Sequence, residues 1–401
     1  MVTIAESLAS WAIDFRAGPD DLALSQRSLV DTAAVALAAR DHPLCTITAG
    51  LAEAARWASI GHVLDFDDLH LESTTHISVV IVPAVLASGG GARAYLAGAG
   101  VMARLGGLLG WQHYTAGWHA TCTAGAPAAA VAAGVALGLS RDQLATAMAL
   151  AVPAAGGVQN AFGTHSKSLQ VGFAAEAGVR AARLAQAGAT ADPSALDEWL
   201  ELVGGEGGAL DLDGPAVPGG LAIKLFPCCY AMQRPIAALR EIREQVEPGV
   251  ARVRVHTAEA SVHPLIHDRP VTGLQSKFSL PYSVATSLLD PYPGFACFTD
   301  QAVNRTAVRR LMEQVEVVLV PGGDGLLTGE VDIQVEHPGR TPLRTKLTVP
   351  PGAPDRPPTT AEFTDKLASC GPDVPTLLAD ATWGSVARLL RTTFPSQEAY
   401  R

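Results

Sequence analysis

Three aspartates (Asp65, Asp67, Asp68), Glu72 and three histidines (His62, His70, His76) fall within fifteen residues of a chain that is elsewhere sparse in charge. The stretch runs straight into an apolar segment, residues 77 to 87. Thr74 and Thr75 are good N-cap residues for that segment, so the sequence predicts a helix with His76 at or near its N-terminus. Free N–H groups and the helix macrodipole favour an anion there. An imidazole beside an anion-friendly site is suited to acid–base chemistry. The plainer alternative is a solvated acidic turn ahead of a buried helix.

Two further stretches carry chemically capable side chains. In GWHATCTAGAPAAAVAAGVALGLS, residues 117 to 140, His119 stands just before an alanine-rich helix that Gly138 ends, a placement like that of His76. In GTHSKSLQVGFAAEAGVRAARLA, residues 163 to 185, Lys167 falls in the first turn of a helix, against the macrodipole. A lysine so placed is either a surface residue or a partner for a carboxylate.

Helices predominate around these stretches. Apolar spacing of three and four predicts two helices between Ala5 and Arg40 and others over residues 49 to 60 and 92 to 109. Ser140 and Gln143 form a capping box for a helix through Ala151. Gly, Pro and Asp crowd together in residues 204 to 220, which marks a domain boundary. Beyond it, IKLFPCCYAMQRPIAALREI leads into an amphipathic helix, and the period then switches to strand-like alternation over residues 250 to 262, 315 to 320, 330 to 337 and 343 to 349. The expected architecture is therefore mainly α. A large all-helical domain is formed by residues 1 to 220 and 359 to 401, with a smaller inserted α+β lid domain at 221 to 358, closed by the Pro-rich stretch 350 to 358.

Composition excludes several classes. With 48% hydrophobic and 17% charged residues the chain can bury a large core, and its net charge of -10 argues against nucleic acid as partner. No Asp, Glu, Lys or Arg occurs between Leu105 and Ser140, but Gln112, His113, His119 and Pro127 there argue for a buried helix rather than a membrane span. The N-terminal MVTIAESLASWAIDF lacks the basic and apolar regions of a secretory signal, so a cytoplasmic enzyme is expected. Six cysteines without CxxC spacing predict reduced, mostly buried thiols. GGEGG lies in a linker rather than between strand and helix, which excludes a nucleotide loop, and no GxSxG elbow is present. DDLHLE also resembles the magnesium-binding motif of all-α terpene synthases, a minor alternative. Its second, Asn-containing motif is missing, since Asn160 and Asn304 stand in other contexts.

Five blocks together, LDFDDLHLESTTH, GWHATCTAGAPAAA, GTHSKSLQVGFAAEAG, IKLFPCCYAMQRPIAAL and QSKFSLPYSVATSLLD, resemble the MmgE/PrpD family in order and spacing from about residue 5 to about 395. That family includes 2-methylcitrate dehydratase, cis-aconitate decarboxylase and iminodisuccinate epimerase. The resemblance implies a homodimer, and an active site between the domains that needs no metal or organic cofactor. It also implies proton transfer at a carbon next to a carboxylate of a small (poly)carboxylic acid, ending in dehydration, decarboxylation or epimerisation. By position it assigns His76 and His119 as the acid–base pair, with their order left open. Asp65 and Tyr282 complete the catalytic set, and Lys167, Lys224, Gln170 and Cys229 are substrate contacts.

The chain departs from the family's pattern at Leu69, where many members have Thr, and at Ile77, where Pro is usual. Ser168 and Gln170 interrupt the common KPLH, and Cys229 lies where decarboxylase-like members carry His. Fewer polar contacts then predict, as the alternatives, a less polar substrate from specialised metabolism or a binding scaffold without catalysis.

Overall fold

The computed structural model describes residues 2–395. Ser140 with Gln143 forms the predicted capping box at the start of Arg141–Ala151, and a second box, Thr3 with Glu6, opens Ile4–Asp14. The centre of the fold is Ala120–Leu137, buried along almost its whole length between Ala92–Thr115 on one side and His165–Gln186 on the other. Its alanines let neighbouring backbones come close. A Cβ built on Gly178 of His165–Gln186 would lie 2.4 Å from the Ala129 Cβ and 2.5 Å from the Ala130 nitrogen. Among the described residues, Ala120–Leu137 is the one helix long and apolar enough to cross a membrane, and 89% of it is buried inside the protein.

Four strands form one mixed sheet in the order β2-β1-β3-β4, with β1 at Arg252–Ala258, β2 at Val315–Val320, β3 at Val331–Glu336 and β4 at Leu343–Leu347. β1 runs parallel to β2 and antiparallel to β3, and β3 runs antiparallel to β4. Val253, Val255, Val331, Ile333 and Val335 alternate onto one face and pack against Tyr230–Ile242 and Leu280–Leu289. Two short helices, Asp300–Val303 and Thr306–Met312, precede β2.

The mainly helical character stands, but the inserted lid domain does not. Residues expected at its hinges are tied into the helical part. Leu69 pairs with Ala222 in a β-bridge. The Lys224 side chain is buried completely beneath Asp65, and Lys277 donates to the Leu64 carbonyl at 2.8 Å. The Gly/Pro-rich run at 204 to 220 is itself bonded to the helical part: the Arg104 guanidinium donates to the carbonyls of Asp211, Asp213 and Ala216, and stacks on Trp11. Such a segment is an ordered strap rather than a hinge.

Gly178→Ala is expected to destabilise the protein by about 1–3 kcal/mol, because neither facing helix can retreat. Urea unfolding checks this; an unchanged midpoint would show that the helices are not in contact at that point.

Candidate active site

The site is assembled where three helix starts and one helix end converge. His62 is the last residue of Glu53–His62, and the turn that follows places Asp65 in the left-handed region, at φ 53°. A short polar side chain tolerates that region better than most, at some conformational cost. Asp65 Oδ1 accepts from Lys167 at 2.9 Å and from Lys224 at 3.1 Å, and Lys224 also donates to the Asp65 carbonyl at 3.0 Å. Burial alone would raise the Asp65 carboxyl; the two ammonium groups override it and hold the group far below the usual carboxylate range.

Asp67 plays the same part for the imidazoles. Its Oδ2 lies 2.9 Å from His62 Nδ1 and 3.0 Å from His76 Nδ1. His62 Nε2 accepts from Lys167 at 2.7 Å, so the proton of neutral His62 sits on Nδ1 and faces Asp67. Burial opposes the Asp67 charge, but the two imidazoles hold its carboxyl well below the usual range.

His76 is the N-cap of Ile77–Ala87, rather than Thr74 or Thr75, and its backbone N–H donates to Thr121 Oγ1. Its Nδ1 lies 2.8 Å from the Asp68 carbonyl as well as 3.0 Å from Asp67. Two acceptors at Nδ1 place the proton there and leave the Nε2 lone pair for the cavity. Burial, aided by Lys224 and partly offset by Asp67, lowers the His76 pKa to about 4. His119 is likewise an N-cap, of Ala120–Leu137. Its Nδ1 meets the Gln170 amide nitrogen at 2.6 Å and the Cys122 thiol at 3.3 Å, and burial followed by the nearby Lys167 holds its pKa well down.

A small cavity of about 20 Å³ opens over these groups, lined on its polar side by Asp65, Thr74, His76, Tyr114, His119, Lys167, Cys229 and Tyr230. Leu69, Phe162, Phe278 and Leu326 make up its apolar side. The Tyr230 hydroxyl is buried without a hydrogen-bond partner among the described residues.

The structure thus brings together Asp65, His76, His119, Lys167 and Cys229. Lys224 supports Asp65 from below instead of bordering the cavity, and Gln170 bonds His119. Tyr282 is elsewhere: it lies in the hydrophobic cluster with Phe298, and its hydroxyl donates to the Cys297 carbonyl. The hydroxyl-bearing residues at the cavity are Thr74, Tyr114 and Tyr230. His62 and Asp67 bind the site together although neither is among the sequence-predicted site residues; the signal was their place three and two residues either side of Asp65. Lys277 is a further hidden member, lowered by burial to about 8 while donating to the Leu64 and Pro227 carbonyls.

Ligand atoms of His62, Asp65, Asp67 and His76 lie within 4.8 Å of one another, a set able in principle to hold a metal. The Lys167 ammonium, however, contacts both His62 and Asp65, and Lys224 also holds Asp65. Cationic side chains therefore occupy the positions a metal would need, and this donor set does not fit one.

With that geometry in place, the similarities to known proteins acquire a structural meaning. The MmgE/PrpD N-terminal domain matches residues 54–200 and the MmgE/PrpD C-terminal domain matches residues 226–381. The chain belongs to the MmgE/PrpD family. A cis-aconitate decarboxylase of Aspergillus terreus (strain NIH 2624 / FGSC A1156) is 28% identical over 280 residues, covering 59% of this chain and 56% of that protein. A second Aspergillus terreus cis-aconitate decarboxylase is 28% identical over 270 residues, or 56% of this chain and 54% of its own length. The chain therefore spans little more than half of the curated relatives it matches.

The buried imidazoles make stability depend on pH. His76 titrates near 4 when folded and near its ordinary 6.5 when unfolded, so between these values the unfolded chain binds the extra proton and stability falls as pH falls. His76→Gln removes that uptake. The stability advantage of wild type over the variant should shrink by up to about 1.4 kcal/mol per pH unit between pH 6.5 and 4. Urea unfolding at pH 7 and 4.5 measures it, and a constant difference would contradict a neutral buried His76.

Proposed function

We propose that this protein is a cofactor-independent lyase or isomerase that moves a proton at a carbon next to a carboxylate of a small acid. The observation that carries the reading is the joint presence, in one small buried cavity, of an unprotonated His76 Nε2, a second imidazole and the Lys167 ammonium. Lys167 attracts a substrate carboxylate, and Asp65 restrains Lys167. His76 Nε2 takes the proton as the C–H bond breaks, and the electron pair moves into the adjacent carboxylate. A β-hydroxyl that takes the proton from His76 as it departs leaves as water and gives dehydration, and return of the proton from His76 after the carbanion has turned its other face to it gives epimerisation. In decarboxylation the C–C bond breaks first and CO2 leaves; His76, which takes up a proton from solvent once a substrate carboxylate is bound beside it, delivers that proton to carbon. A base with so low a pKa is weak, but a bound carboxylate beside it raises its proton affinity. The family membership and the two cis-aconitate decarboxylase relatives support a lyase-type reaction.

The apolar half of the cavity favours one refinement. Leu69 stands in the wall where a hydroxyl is usual in the family, and Phe162, Phe278 and Leu326 continue the apolar surface. A carboxylate with one apolar end fits this wall better than a tricarboxylate does.

The test is proton NMR in D2O with 2-methylcitrate, citrate, cis-aconitate, itaconate and branched aliphatic carboxylic acids, comparing wild type with His76→Ala and Tyr230→Phe. Deuterium uptake or turnover is expected with wild type, reduced on the order of 10²–10⁴-fold in His76→Ala, as for loss of a general base. Tyr230→Phe should raise KM more than it lowers kcat, since its hydroxyl is positioned to bind substrate. Equal activity of His76→Ala and wild type would refute the assignment.

A further inference from the structure

We propose that Gln170 is a positioning residue that fixes His119 as its Nε2-protonated tautomer, so that His119 serves as a neutral hydrogen-bond donor and His76 alone carries the proton. The inference rests on the proton-transfer reading above and assigns the two imidazoles different work.

The Gln170 amide is oriented by a backbone group that cannot change its polarity. The Val158 N–H donates to Gln170 Oε1 at 3.1 Å. The Gln170 amide nitrogen is thereby turned toward His119 Nδ1, at 2.6 Å. Reversing the amide would set its NH2 against the Val158 N–H, donor against donor, so the orientation is fixed by geometry. The segment that supplies Val158 is itself held to the helix start: His119 N–H donates to the Gly157 carbonyl at 2.9 Å, and Trp118 forms a β-bridge with Val158. A Cβ at Gly157 would lie 2.9 Å from the Cys122 Cβ, so the loop passes close against the turn that carries His119.

His119 Nδ1 therefore faces donors. Besides Gln170 it meets the Cys122 thiol at 3.3 Å, and burial pushes that thiol up so that it keeps its proton. A ring nitrogen facing N–H and S–H groups must offer its lone pair, and a neutral imidazole then carries its proton on Nε2. Protonating His119 fully would place an Nδ1–H against the Gln170 N–H. His76 is arranged in the opposite way, with its Nδ1 on the Asp68 carbonyl and the Asp67 carboxylate and its Nε2 unprotonated. One imidazole offers the cavity an acceptor and the other offers a donor.

This division fits a carbanion step. As the C–H bond breaks, the proton passes to His76 Nε2 and the electron pair enters the substrate carboxylate, whose oxygen accepts from His119 Nε2–H. His119 leaves the step in the protonation state in which it entered, as a preorganised donor to developing charge. Lys167 and Gln170, three residues apart, lie on one face of His165–Gln186, so one helix serves both His62 and His119.

The test reads the tautomer without substrate. Two-bond proton–nitrogen spectra of protein labelled with ¹⁵N-histidine, with His119 assigned by its loss in His119→Gln, should show a neutral Nε2–H ring from pH 8 to 5. Gln170→Glu keeps an acceptor for Val158 but presents an acceptor to Nδ1 as well. It should convert His119 to the Nδ1–H or doubly protonated form and lower kcat on the order of 10²-fold, with a smaller change in KM. Gln170→Met, which removes the donor without reversing it, should leave His119 neutral with mixed tautomers and a smaller loss in kcat. A wild-type Nδ1–H ring, or unchanged His119 nitrogen shifts in Gln170→Glu, would overturn the positioning role even if the enzyme turns over substrate. An Nε2–H ring in a protein inert toward every carboxylate would instead uphold the positioning and overturn the reaction.

Discussion

The site depends on one carboxylate oxygen, Asp65 Oδ1, which accepts from two buried lysines that arrive from positions 167 and 224. Neither lysine could be buried alone, because desolvating an unpaired ammonium costs several kcal/mol. Asp65 in turn tolerates a left-handed backbone because Lys224 bonds its carbonyl and its own N–H donates to the His62 carbonyl. Three distant parts of the chain are thereby joined at a point. Removing the carboxylate would leave two uncompensated charges beside the imidazoles, the most expensive defect the core could suffer.

The same pairing sets the proton chemistry. The lysines make the surroundings unfavourable for a further positive charge, so burial and their field together keep His62, His76 and His119 neutral. Asp67 and the Asp68 carbonyl then decide which nitrogen of His76 carries its proton. Asp68 itself, whose carboxyl burial raises to about 7, accepts from the Ser78 N–H and steadies the first turn of the helix that His76 caps. The reactive nitrogen is thus held by hydrogen bonds reaching back into the core, not by contacts made within the cavity. Helix starts carry these groups, each placing one side chain at a defined edge.

Much of this was legible in the residues. His76 and His119 announce themselves because each precedes a buried apolar helix, and Lys167 because it opposes the macrodipole. Five sequence blocks in family order located Asp65 and Lys224. Their individual roles were less legible, since a motif does not say whether a lysine faces the cavity or, like Lys224, a carboxylate beneath it. Tyr282 illustrates the limit: its block lies near the site, yet its hydroxyl is spent on the Cys297 carbonyl, and Tyr114 and Tyr230 line the cavity. Gln170 read as a departure from pattern, and only the Val158 N–H shows that its amide is directed at His119. The lid failed for a related reason. Gly and Pro signal turns, but whether a turn is a hinge depends on side chains such as Arg104, which bond it from far away in sequence.

The most direct test of this account is a double-mutant cycle on folding stability, comparing wild type, Asp65→Asn, Lys167→Met and the double variant by urea unfolding at pH 7. If Asp65 is what makes burial of Lys167 tolerable, Lys167→Met should cost much less in the Asp65→Asn background than in wild type, with a coupling energy of about 1–3 kcal/mol. Additive costs, with no coupling, would contradict the claim that this carboxylate holds the site together.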